Sequence, residues 1–277
     1  MRTIQALWIR NLKNFIRDRV RLIFSILIPF FFIYVFSSIF KNDAVKNPTA
    51  FLMAGVIIAT VFQTSLSVAT STIDDIVSGF MKEVLVSPVK RIYIALGQLL
   101  SAATIATMQG VLILVIGLFV GLKFTSWTTP VYVVLCMIGV GIVFSSFGLF
   151  LATIVKNAQT FQIVQQAIVL PFTFISGAYL PLTLLPKALQ IVAYFNPMTY
   201  TTALFRTIIL EQGGLSNAAK VKLGLAFDIN GFIVTPWMSG IVVLIFGLFF
   251  LFLATLSFTK ADLSQITRTP GGSNRRL

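Results

Sequence analysis

Long apolar runs separated by short polar interruptions make up most of the chain. A helix needs about 20 apolar residues to cross hydrocarbon, and runs of that order cover 22–40, 49–72, 92–121, 130–155, 161–180 and 236–258. The pattern predicts six membrane-spanning helices, so the fold class expected is an all-α polytopic membrane protein with a transmembrane domain over 22–258. Ahead of the first run, Ile4, Leu7, Trp8, Leu12 and Phe15 recur at helical spacing, while Arg10, Lys13, Arg17, Arg19 and Arg21 fall largely elsewhere on the wheel. That spacing predicts a cytoplasmic amphipathic helix over 1–21 lying at the membrane interface. A plain basic tail that only sets topology is the alternative reading.

Two interruptions stand apart from simple loops. Between the second and third spans, 73–91 reads IDDIVSGFMKEVLVSPVKR and holds Asp74, Asp75 and Glu83, three of the eight acidic residues. Such a segment cannot lie in hydrocarbon. It is helical by pattern until Pro88 stops it, and it is suited either to offering a surface to a soluble partner or to being an ordinary hydrophilic loop. After the fifth span, Pro181, Pro186 and Pro197 rule out one straight helix, yet the stretch is too apolar for a free exterior loop. The combination predicts short helices that dip into the outer leaflet and return over 181–210, shielded by protein. The second of them should begin after Pro197, run to about Leu210 and carry Arg206. An exterior loop over 211–235 and a cytoplasmic tail over 259–277 complete the plan.

Composition narrows the class. Hydrophobic residues make up 57% and charged residues 10%, with a mean hydropathy of +0.95, against roughly 25% charged residues in soluble domains. The net charge of +13 does not point to nucleic acid, because the basic residues sit at the ends of apolar runs. There they set orientation and meet anionic headgroups. Fourteen Lys and Arg fall on the side of the N-terminus and seven on the other, which puts both termini in the cytoplasm by the positive-inside rule. The chain has no histidine, one cysteine, Cys136, inside an apolar run, and no G-x-x-x-x-G-K-[ST] phosphate loop. An intramembrane enzyme would need clustered His, Asp, Glu or Cys in the spans, and a secondary transporter an ionisable group near the midplane. The sequence offers neither, so energy has to come from a partner.

Two stretches resemble a known family. SGFMKEVLVSPVKRIYIALGQ, and ISGAYLPLTLLPKALQIVAYFNPMTY followed by Arg206, are similar to the charged segment and the post-fifth-span signature of ABC-2 type permeases. They resemble in particular the daunorubicin-resistance-like group of bacterial drug and lipid exporters. The resemblance implies a plasma-membrane half-transporter that pairs with a second permease copy or a close relative, as a homo- or heterodimer, and with two ATP-binding subunits, which would hold ATP and Mg. This chain would bind no cofactor and carry no catalytic residue. It further implies that Asp74, Asp75, Gly79, Lys82, Glu83, Ser87 and Pro88 form the segment that receives force from the ATPase, with Glu83 the matching acidic position and Pro88 the matching helix stop. Gly177, Pro181, Pro186, Asn196, Pro197, Tyr200 and Arg206 form the signature. The chain departs from the family pattern at Ala203, where an acidic residue often stands three positions before the arginine. On this reading the substrate is an amphipathic drug or lipid, with Gln63, Gln165, Gln166, Phe172 and Phe174 as candidate walls of its path. Interhelical hydrogen bonding is the competing role for the glutamines, and export of a lipid-linked glycan the competing function.

Overall fold

The computed structural model describes residues 2–39, 48–77, 90–155, 157–229 and 231–260. In chain order the helices are α1 (Arg2–Arg17), α2 (Arg19–Ile39), α3 (Pro48–Val77), α4 (Arg91–Val120), α5 (Thr129–Ile154), α6 (Ala158–Ile175), α7 (Lys187–Phe195), α8 (Pro197–Ile209), α9 (Asn217–Lys222) and α10 (Pro236–Lys260). A 3₁₀ turn at Leu182–Leu184 precedes α7. Between α9 and α10 lies a hairpin of β1 (Phe227–Ile229) and β2 (Phe232–Val234), paired antiparallel with Phe227 opposite Val234. This hairpin departs from the all-α expectation. Its cause is local: Phe227 and Val234 point into a small apolar cluster with Ala203, and the connection contains Gly231 at φ +88, a conformation glycine adopts without steric cost.

Among the described residues four helices are long and apolar enough to cross a membrane, over Thr49–Asp75, Arg91–Val120, Thr129–Ile154 and Pro236–Phe258, and α2 adds a shorter apolar stretch, Leu22–Val35. They do not share the interior equally. Within its apolar window α3 is 88% buried, whereas α10 is only 22% buried, so α3 is the axis of the bundle and α10 its outer wall. The core follows from that arrangement. Phe62 and Leu66 of α3, Phe144 of α5 and Phe205 of α8 are fully enclosed, and Phe62 meets Phe144 edge to face with 4.5 Å between centroids. Isolated aromatic pairs of this kind add about 1 kcal/mol beyond burial.

The expected interfacial helix is α1, and the structure gives its apolar face a partner within the chain. Leu7, Asn11 and Phe15, one turn apart, are buried. Leu7 lies against Gly97 of α4, while Phe15 packs on Ala102 and Ile105 of the same helix.

The fifth apolar run forms a shorter helix than its hydrophobicity suggests. α6 has 18 residues and stops at Ile175, five before Leu180, which gives about 27 Å of rise. What stops it is the Ser176–Gly177 pair. Gly177 turns the chain at φ +82, and the Ala178 carbonyl then settles against α3 at Gly55. A Cβ built at Gly55 would sit 1.8 Å from that oxygen, so only glycine permits the approach.

Candidate functional site

Three places gather polar side chains in an otherwise apolar bundle: the Asp75 end of α3, a cleft at mid-height, and the Phe51 end of α3.

At the Asp75 end, α3 continues as helix through Val77, so Asp74 and Asp75 occupy its last turns on different faces. Asp74 is exposed and Asp75 is buried at 6%. Asp75 accepts a two-pronged contact from Arg10 of α1, Nη1 to Oδ2 at 2.8 Å and Nη2 to Oδ1 at 2.6 Å. Gln98 Nε2 of α4 donates to Oδ2 at 3.2 Å, and Asn11 Nδ2 of α1 donates to Gln98 Oε1 at 2.7 Å. The hydrogen bond to Asp75 raises the Arg10 pKa above its ordinary value against the opposing effect of burial. Parallel fork contacts of this type are both directional and strong. Asp75 is thus held by α1 and α4 within the chain, while Asp74 beside it is exposed. Trp8 Nε1 adds a bond to Thr104 Oγ1 at 2.9 Å. Gly79, Lys82, Glu83, Ser87 and Pro88 lie outside the described residues. The two helices that flank them, α3 and α4, are thus both fastened to α1.

At mid-height a cleft of about 390 Å³ opens between α2, α3 and α6, with Gln109 of α4 at its floor. From α3 it is lined by Thr60, Gln63, Thr64 and Ser67, positions i, i+3, i+4 and i+7 on one helical face. From α6 come Gln166, Leu170, Thr173 and Phe174, and beyond α6 comes Tyr179. Of the five residues expected to line a path, Gln63, Gln166 and Phe174 meet here. Gln165 does not: it is buried and donates to Ser67 Oγ at 2.8 Å, which is the interhelical role. Phe172 is likewise turned into the core, stacked on Phe62 at 6.3 Å. Thr60, Gln109 and Thr173 were not singled out from sequence. The four-residue periodicity from Thr60 to Ser67 was the available signal. Thr64 donates to Gln109 Oε1 and so joins α3 to α4.

At the Phe51 end the signature residues enclose Arg206, which is 1% exposed. Its Nη2 reaches the carbonyls of Gly177 at 3.0 Å and Ala178 at 3.1 Å, and its Nη1 that of Gly224 at 3.3 Å. The guanidinium lies 3.6 Å above the Phe51 ring, a cation–π contact. Among the described residues its partners are carbonyls and a ring and not a carboxylate, which answers the departure at Ala203: the cation is solvated by backbone dipoles. The other signature residues build the frame. Asn196 Oδ1 caps α8 through Met198 N at 2.9 Å, and its Nδ2 donates to Phe172 O at 2.7 Å. Pro197 occupies the first turn of α8, where its missing N–H costs nothing. Pro181 and Pro186 precede the 3₁₀ turn and α7, and Tyr200 donates to Tyr194 O at 2.7 Å. Nearby, Glu211 accepts from Thr125 N and Ser126 N, both at 2.9 Å, and from the Thr129 hydroxyl. These bonds, Thr125 foremost, lower its pKa to about 2 and tie the end of α8 to the start of α5.

Among the described residues no group of three or more His, Cys, Asp or Glu converges as a metal site. Comparison with known proteins places the arrangement in context. The family model described as ABC-2 type transporter matches residues 2–210, from α1 to the end of α8. A protein of Cyanophora paradoxa named as transport permease ycf38 is 26% identical over 259 residues, covering 88% of this chain and 86% of that protein. The inner membrane transport permease YadH of Escherichia coli K12 is 29% identical over 150 residues, 51% of this chain and 57% of that protein. Nodulation protein J of Rhizobium leguminosarum bv. viciae is 29% identical over 119 residues, 43% of this chain and 45% of that protein.

Proposed function

Because the chain belongs to the ABC-2 type transporter family, whose permeases generally work with an ATP-binding subunit, we propose that it is the membrane-spanning subunit of an ATP-driven exporter that moves an amphipathic drug or lipid-like substrate outward. In this reading α2, α3, α4, α5, α6 and α10 are the six spans. The stretch from Leu182 to Ile209 re-enters the outer leaflet, and both termini are cytoplasmic. Two ATP-binding subunits carry ATP and Mg, and a second permease copy completes the passage across the plasma membrane.

The observation that carries the reading is the polar network at the Asp75 end. Arg10, Asn11, Asp75 and Gln98 join α1 to both helices that flank the charged segment. A force applied to that segment or to α1 is therefore delivered to α3 and α4 together. A cleft of about 390 Å³ falls in the range of sites that take drug-sized ligands, and this favours an amphiphile over a lipid-linked glycan, whose passage needs a wide channel between copies.

The test is reconstitution with a candidate ABC ATP-binding subunit from the same organism. ATP hydrolysis should rise when the permease is present, and Glu83→Ala should insert normally but lose that stimulation. Absence of stimulation by the wild-type chain would overturn the reading.

A further inference from the structure

The cleft between α2, α3 and α6 is polar without being charged. Its walls come from 22–39, 49–73, 92–120 and 158–179, and these intervals contain no Asp, Glu, Lys or Arg. A charged group entering the cleft would give up hydration and meet no opposite charge, at a cost far above that of a neutral polar group. The walls are nevertheless not apolar. Gln63 and Gln166 line the cleft, both exposed within it, and among the described residues neither side-chain amide makes a hydrogen bond. Thr173 lines it too: it is 5% exposed and, among the described residues, its hydroxyl has no partner. Neighbouring hydroxyls on α3 behave differently, since Thr60 and Ser67 each return a bond at 2.9 Å to the carbonyl four residues back. Two primary amides and one hydroxyl without partners among the described residues leave hydrogen-bonding capacity in the cleft that an entering polar group can use. Beside them stand Phe174 and Tyr179, 5.2 Å apart, which offer ring faces.

We infer that this cleft recognises an amphiphile with an uncharged, hydroxyl- or amide-bearing head, and selects against cationic and anionic heads on the same tail. The amides of Gln63 and Gln166 supply both donors and acceptors, Thr173 supplies a further hydroxyl, and the aromatic pair covers one face of the head while the tail lies along Ile28 and Leu170, which also line the cleft. The inference deepens the exporter reading and rests on it only for the direction of movement.

The experiment uses the full chain alone in lipid nanodiscs, without ATP or partner. Three photoreactive probes share one dodecyl tail and carry a maltoside, a trimethylammonium or a phosphate head. The maltoside probe should label α3 and α6 around Gln63 and Gln166 to Phe174 about tenfold more than either charged probe, the ratio that one or two hydrogen bonds produce. Gln63→Leu with Gln166→Leu should lower maltoside labelling about tenfold. Gln63→Glu should shift the preference to the trimethylammonium probe, a gain that a misfolded variant would not show. Equal labelling by a charged probe, or an unchanged pattern in the glutamine variants, overturns the inference. Labelling with these ratios but without ATPase stimulation in reconstitution would count against the exporter reading and leave the head-group selectivity standing.

Discussion

Arg206 and Glu211 are five residues apart and solve opposite problems. The arginine is enclosed, and its charge is met by three carbonyls and the Phe51 ring; the glutamate is an acceptor for the start of α5. The Glu211 pKa of about 2 lies below its ordinary value of 4.5, so its contribution to stability is fully present above pH 4.5 and is lost as pH falls through about 2. Thermal unfolding in detergent followed between pH 5 and 2.5 should show the wild type losing stability as the pH drops. Glu211→Gln should begin less stable and flatten that slope; a variant with the wild-type slope would assign the pH dependence to another group. The sequence carried part of this. Pro197, Asn196 and Arg206 announced a fixed motif, but the partners of Arg206 are carbonyls, and backbone carbonyls are the same at every position and leave no mark in composition.

Among the helices, α1 is the one whose surroundings changed most between sequence and structure. Its existence and its apolar face were legible, because Leu7, Trp8, Leu12 and Phe15 repeat at helical spacing. Its partner was not, since Gly97, Gln98 and Ala102 read like any small, polar helix-contact surface. The inward placement of Asp75 was hidden for a related reason: adjacent acidic residues look equivalent in a sequence, whereas successive helical positions are about 100° apart and only one can face inward. The Arg10–Asp75 contact is partly solvent-exposed on the arginine side, with side chains 34% and 9% accessible. A double-mutant cycle of Arg10→Ala and Asp75→Asn should therefore give a coupling energy of about 1–2 kcal/mol in thermal or denaturant unfolding. Limited proteolysis of either single variant should cut α1 faster than in the wild type. Additive effects with unchanged proteolysis would mean that apolar contacts alone hold α1. The β1–β2 hairpin also had a readable signal, since Asn230–Gly231 between apolar residues is a strong short hairpin cue, but its setting in a polar stretch drew attention to loop character.

For the whole molecule, the apolar periodicity could count runs but not rank them. The mark that ranks them is polar: α3 carries Gln63, Thr64, Ser65, Ser67, Thr70, Ser71 and Thr72, a stripe that has to face other helices or water, whereas the run of α10 is unbroken, in keeping with an 88% buried α3 and a 22% buried α10. The three-dimensional ranking has a direct check. With the three native tryptophans replaced by phenylalanine, Phe252→Trp on α10, 60% exposed in the wild type, should be quenched strongly by brominated lipid. Phe62→Trp on α3, at 0%, should be quenched weakly. Equal quenching would require a different order of helices.

One feature of α3 bears on how such a bundle moves. The helix has 30 residues, about 45 Å. Phe51 and Gly55 seat the arginine and the Ala178 carbonyl near its beginning, and Asp75 is hooked near its end. A stiff beam gripped at both extremities cannot flex locally at one without swinging at the other. Leverage is therefore built into the length of a single helix, and the mid-height walls change their spacing whenever it tilts.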